Sequence, residues 1–87
     1  MKLSEGVVFV KEHESWFIDL VCSFQPQLKS IKFQVWTLEK LSKGFQIICT
    51  DENKNILVTQ DYNHGTFITD YIKLFVEGDV ILLANEH

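Results

Sequence analysis

The chain has 87 residues, 46% of them hydrophobic and 13% aromatic, with a single proline, Pro26. That length holds one domain around one core, burying roughly 60–65% of the unfolded surface, and the apolar content excludes a disordered chain. Formal net charge is −4 and all eight basic residues are lysines, so the guanidinium fork that usually reads phosphate, carboxylate or guanine is missing.

Gly6 to Lys11 is rich in β-branched and aromatic residues and reads as a short strand, closed by the charged turn Glu12-His13-Glu14-Ser15. From Ser15 to Phe24, the residues Trp16, Ile18, Leu20, Cys22 and Phe24 alternate with Phe17, Asp19, Val21 and Ser23. Two-residue alternation predicts a strand with one continuously apolar face. Gln25-Pro26-Gln27 ends it.

Residues 28–43 fit two templates. Leu28, Ile31, Val35 and Leu38 recur at helical spacing, while Ile31, Phe33 and Val35 alternate with Lys32, Gln34 and Trp36. The residue types favour a strand over 30–38 and a loop over 39–44. Phe45–Thr50 and Ile56–Gln60 read as a hairpin joined by the Asn-rich turn 51–55. Asn63-His64-Gly65 is a second break. Thr66 to Glu77 then predicts a helix, with Phe67, Ile68, Tyr71, Ile72, Phe75 and Val76 on one side and Gly78 at its C-terminal end. Val80–Ala84 is a last strand. The expected fold class is therefore α+β and mostly antiparallel β: a curled five- to six-stranded sheet, or a small open barrel, with one helix over about 66–77.

Chemistry-bearing patterns are sparse. Cys22 and Cys49 form no C-x-x-C pair and both lie in apolar runs, which predicts reduced core thiols. There is no G-x-S-x-G elbow and no glycine-rich phosphate loop. His13 sits between two glutamates, and His64 lies near Asp61 and Asp70 at the expected helix start. A metal or hydrolytic site needs such groups to converge from several elements, and turn composition explains both groupings as well. The expectation is a non-enzyme without cofactor or metal. Neither a secretory signal nor an apolar run long enough to span a bilayer is visible, which predicts a cytoplasmic protein with no membrane partner.

Two surfaces remain. Phe17, Asp19 and Val21 share the side of the Ser15–Phe24 strand opposite its main apolar face, and form a candidate contact patch for another protein or a second copy. Lys32, Trp36, Lys40 and Lys43 fall in the one basic stretch, where residues 29–43 carry four lysines against Glu39. With Trp36 outward, that stretch offers a stacking platform for single-stranded nucleic acid. The leading expectation is a small protein-interaction module, acting as adaptor, regulator or inhibitor and open to self-association. A nucleic-acid-binding barrel is the alternative, and a small hydrolase or metal-dependent enzyme around His64 is the third reading.

Overall fold

A computed structural model describes residues 1–62 and 70–86. Its elements, in order, are β1 (Lys2–Leu3), α1 (Glu5–His13), α2 (Ser15–Ser23), β2 (Phe33–Lys40), β3 (Phe45–Asp51), β4 (Ile56–Tyr62), β5 (Tyr71–Glu77), β6 (Val80–Leu83) and a closing 3₁₀ turn, Ala84–Glu86. The strands form one sheet in the order β1-β6-β5-β2-β3-β4. Among the described residues only the β1–β6 pair is parallel. The sheet stays open, with β1 and β4 at its edges, so the barrel option does not hold.

Two helices, and not one, pack on a single face of this sheet. Both lie in the N-terminal third, where strands are expected from the sequence. In α1, the Ser4 Oγ accepts from the Val7 N–H at 3.2 Å and starts the helix. Val7 is buried and Val10 half-buried one turn on, whereas Val8 and Phe9 face solvent. In α2, Phe17, Ile18 and Val21 form a buried stripe at helical spacing, and Asp19 and Ser23 lie on the outer side. Because Trp16, Phe17, Ile18, Leu20, Val21, Cys22 and Phe24 are all apolar, a two-residue and a 3.6-residue period fit equally well. Burial against the sheet selects the helix. Glu14 joins the two helices; it is buried, and its carboxylate accepts from the Trp16 indole N–H at 2.7 Å.

The expected helix 66–77 is overturned where it is described. Residues 71–77 are the strand β5, with Ile72, Leu74 and Val76 toward the helices and Tyr71, Lys73, Phe75 and Glu77 on the reverse face. Thr66 to Thr69 lie outside the described residues. Gly78 is no helix cap: it opens the two-residue hairpin loop between Glu77 and Val80, with φ +61°. Glycine in the first position of such a loop matches the twist of the flanking strands. The β3–β4 hairpin forms as expected, and Asp51 organises its turn by accepting from the N–H groups of Asn53 and Asn55 at 2.8 and 2.9 Å. The 30–38 strand is present as Phe33–Lys40, and only the turn 41–44 remains of the expected loop.

The core lies between the helices and one sheet face: Val7, Phe17, Ile18 and Val21 above Trp36, Leu38, Ile47, Cys49, Leu74, Val76 and Ile81. Cys22 and Cys49 are both free thiols, as expected. Burial, and secondarily the Asp51 charge, push the Cys49 thiol up to about 12, which makes it a packing residue.

The two chain ends are tied together. Ser4 Oγ donates to Glu86 at 2.5 Å, and the Gly6 and Leu83 N–H groups donate to the same carboxylate at 3.1 and 2.8 Å. A Cβ at position 6 would meet Leu83 Cδ1 at 2.5 Å and Glu86 Oε1 at 2.8 Å, so a larger residue there displaces these side-chain ends. The bond from Ser4, with those from the backbone, holds the Glu86 carboxyl below its ordinary range. A depressed carboxyl contributes stability above the ordinary carboxylate range, and that contribution is lost as pH falls through the depressed value. Thermal unfolding midpoints followed from neutral to acid pH should therefore fall less steeply for Glu86→Gln than for the wild type. Parallel curves would show that the tie contributes nothing.

Candidate interaction surface

The strand holding the expected basic platform exists, but its sidedness is inverted. Gln34, Trp36 and Leu38 point toward the helices, and Phe33, Val35 and Thr37 point away. Trp36 is 0% exposed, its ring lies 5.8 Å from that of Phe24, and its indole N–H donates to Gln34 Oε1 at 2.9 Å. Gln34 is itself buried and exchanges two side-chain hydrogen bonds with Gln25, at 3.0 and 2.9 Å, locking the end of α2 to β2. The amide pair satisfies every polar group that the indole brings inside. No stacking platform forms. Lys32 and Lys40 lie at opposite ends of β2, about 26 Å apart along an extended strand. Lys43 sits in the β2–β3 turn near Lys40, whose Nζ is 3.8 Å from Asp70.

The expected contact patch does not form either. Phe17 and Val21 are 0% exposed beneath α2, and only Asp19 reaches solvent. On a helix, positions 17 and 21 share a side and position 19 lies roughly opposite, whereas on a strand the three share a face. His13 is at the exposed end of α1, with its ring edge-on to Phe9 at 4.6 Å. His64 lies outside the described residues. Among the described residues no three His, Cys, Asp or Glu side chains gather as metal ligands would, and no helix is long and apolar enough to cross a membrane.

What the structure does present is the reverse side of the sheet. The strand registers set three rows across it. The central row runs Leu82, Phe75, Val35 and Thr50 across β6, β5, β2 and β3. On one side lie Val80, Glu77 and Phe33; on the other lie Lys73, Thr37, Ile48 and Thr59. Phe33 and Phe75 pack ring to ring at 5.2 Å, and Lys73 Nζ sits 5.9 Å from the Phe75 ring centroid. A further row, Tyr71, Glu39, Gln46 and Asp61, is polar and acidic. Among the described residues no element covers these rows, and Phe33, Val35, Ile48, Phe75 and Leu82 are all half-buried.

The signal for this surface is in the sequence. Strands covered on one face alternate apolar with polar residues, while strands covered on both faces read as apolar runs. Phe-Gln-Val-Trp-Thr-Leu and Tyr-Ile-Lys-Leu-Phe-Val are of the second kind. A helical assignment of 66–77 hides the second of these runs.

An open cleft of about 420 Å³ lies where β6 stops short of β5, lined by Phe9, Val10, His13, Tyr71, Ile72 and Leu83. It is apolar and shallow, and Phe9 stands 62% exposed at its rim. Glu14, Lys73 and Asn85 also lie on its wall beside His13 and Tyr71.

No curated protein and no solved structure matches the chain. Over residues 1–87 it matches the profile of a family of unknown function, DUF6876, and it belongs to that family.

Proposed function

We propose that this protein is a small non-enzymatic interaction module that docks on another protein chain through the reverse face of its sheet. One observation supports the reading: β2, β3, β5 and β6 carry apolar side chains on both faces, and among the described residues the helices cover only one. Burying that second face against a partner recovers roughly 25 cal/mol per Å² of apolar surface. The centre of the patch is aromatic and aliphatic, and its charges lie at the rim, as in protein–protein interfaces.

Site-specific photo-crosslinking in the producing cell tests this. A crosslinking side chain in place of Phe75 should give discrete adducts. The same group in place of Asp19, on the outer side of α2, should give none. Adducts at position 19 without any at position 75 would refute the assigned surface.

A further inference from the structure

We infer that residues 1–13, comprising β1 and α1, form an arm that opens as a unit while the rest of the fold stays closed, and that the Glu86 carboxylate latches it, independently of what occupies the reverse face. Little of this arm is inside. Of the twelve buried apolar side chains among the described residues, Val7 alone belongs to it. Leu3 and Val10 are half-buried, and Val8 and Phe9 stand 44% and 62% exposed. Nor does α1 hold itself in shape. Nine residues are too few for an isolated helix, and Gly6, Val7, Val8 and Val10 all rank low in helix propensity.

Beyond its packing on α2 and β6, the arm is attached at two places. β1 is bound to β6 over two residues: the Lys2 N–H donates to the Asp79 carbonyl at 2.8 Å and the Ser4 N–H to that of Ile81 at 3.0 Å. Glu86 then draws the Ser4 hydroxyl and the Gly6 N–H, at the start of α1, and the Leu83 N–H, at the end of β6, onto one carboxylate. At its far end the arm has a break point. Glu14 separates the two helices with non-helical backbone angles, φ −137° and ψ 60°, while its own carboxylate is fixed to the Trp16 indole of α2.

An arm released at Glu14 leaves α2 and the Gln25–Gln34–Trp36 network in place. It uncovers Leu83, on which Gly6 sits, and the outer edge of β6, where the Asp79 and Ile81 carbonyls lose these donors. A bare edge strand beside an apolar side chain is a template for pairing with another chain. The arm is therefore the cover of this edge, and Glu86 sets how often the cover is off.

Amide hydrogen exchange of the full chain, read by NMR in low urea, provides the test. The Ser4, Val8 and Glu14 N–H groups, which donate to the carbonyls of Ile81, Ser4 and Val10, should exchange at least about tenfold faster than those of Trp36 and Leu38 in β2. Their rates should also rise less steeply with urea, because less surface is exposed by opening the arm than by unfolding the chain. Glu86→Ala should speed the three arm amides by about fivefold or more. Ile47→Val, a change inside the part that stays folded, should speed Trp36 and Leu38 by about fivefold and leave the arm amides within about twofold of wild type. Circular dichroism checks that both variants fold, and the wild-type comparison decides by itself if either does not. Arm amides that track Trp36 and Leu38, in urea or in Ile47→Val, would show a single cooperative unit and overturn the arm. Arm amides unmoved by Glu86→Ala overturn the latch. A rise at Ser4 and Val8 without Glu14 would mean fraying of the first turn, which also overturns the arm.

Discussion

Replacing Trp36 with alanine should lower stability by about 3–5 kcal/mol. A chain of this length is expected to have only about 4–13 kcal/mol in total, so the variant should lose a quarter of its stability or more. The cost has two sources. The indole is the largest fully buried side chain, and its removal leaves a cavity beneath α2 beside Phe24. It also takes one of two donors away from the Oε1 of Gln34, which is buried. Urea unfolding followed by circular dichroism measures the loss directly. A change below about 1 kcal/mol would mean that the ring stands at the surface, as nucleic-acid stacking requires.

The second large effect separates helix from strand over residues 15–23. Phe17→Asp and Val21→Asp should each abolish folding or nearly so, because each places an uncompensated charge in the core between α2 and the sheet. Asp19→Lys should change stability by no more than about 0.5 kcal/mol, since Asp19 lies on the outer side of α2. On a strand these three positions would share one face and respond alike. On this helix they split two against one, and thermal unfolding of the three variants reads the split.

Why the chain misleads at these places is physical. Periodicity identifies an element only when polar residues mark one side of it, and the stretch from Trp16 to Phe24 has too few. The strand reading counts five apolar positions on one face; the helix buries Phe17, Ile18 and Val21 and leaves Trp16, Leu20 and Cys22 half-buried at the edges of the stripe. Gly6 to Lys11 repeats the problem with Val-Val-Phe-Val, whose intrinsic preference is for a strand. There the local helix signal is Ser4 as N-cap, and a long-range contact from Glu86, at the other end of the chain, completes it.

At 71–77 the error runs the other way. Ile72, Phe75 and Val76 satisfy a helical face, but Gly78-Asp79 between two apolar runs is a two-residue hairpin loop, and that turn chemistry is the better guide. The β3–β4 hairpin was legible because both strands are short, apolar and separated by an Asn-rich turn. β2 was legible as a strand, yet not its sidedness. The outward assignment of Gln34 and Trp36 treats an amide and an indole as surface groups, whereas the fold pairs them with each other and with Gln25. Only tertiary contact decides that. The reverse face was missed for a related reason: its apolar character shows only once β2 and β5 are known to be neighbours.

The sidedness of the sheet can be read without any substitution. In methyl-labelled protein at low concentration, a soluble paramagnetic agent should broaden Val35, Ile48 and Leu82 strongly. Val21, Leu38, Ile47 and Ile81, between sheet and helices, should be spared. Equal protection of both groups, or broadening of the second in place of the first, would contradict a sheet covered on one face only and leave no surface for the partner to occupy.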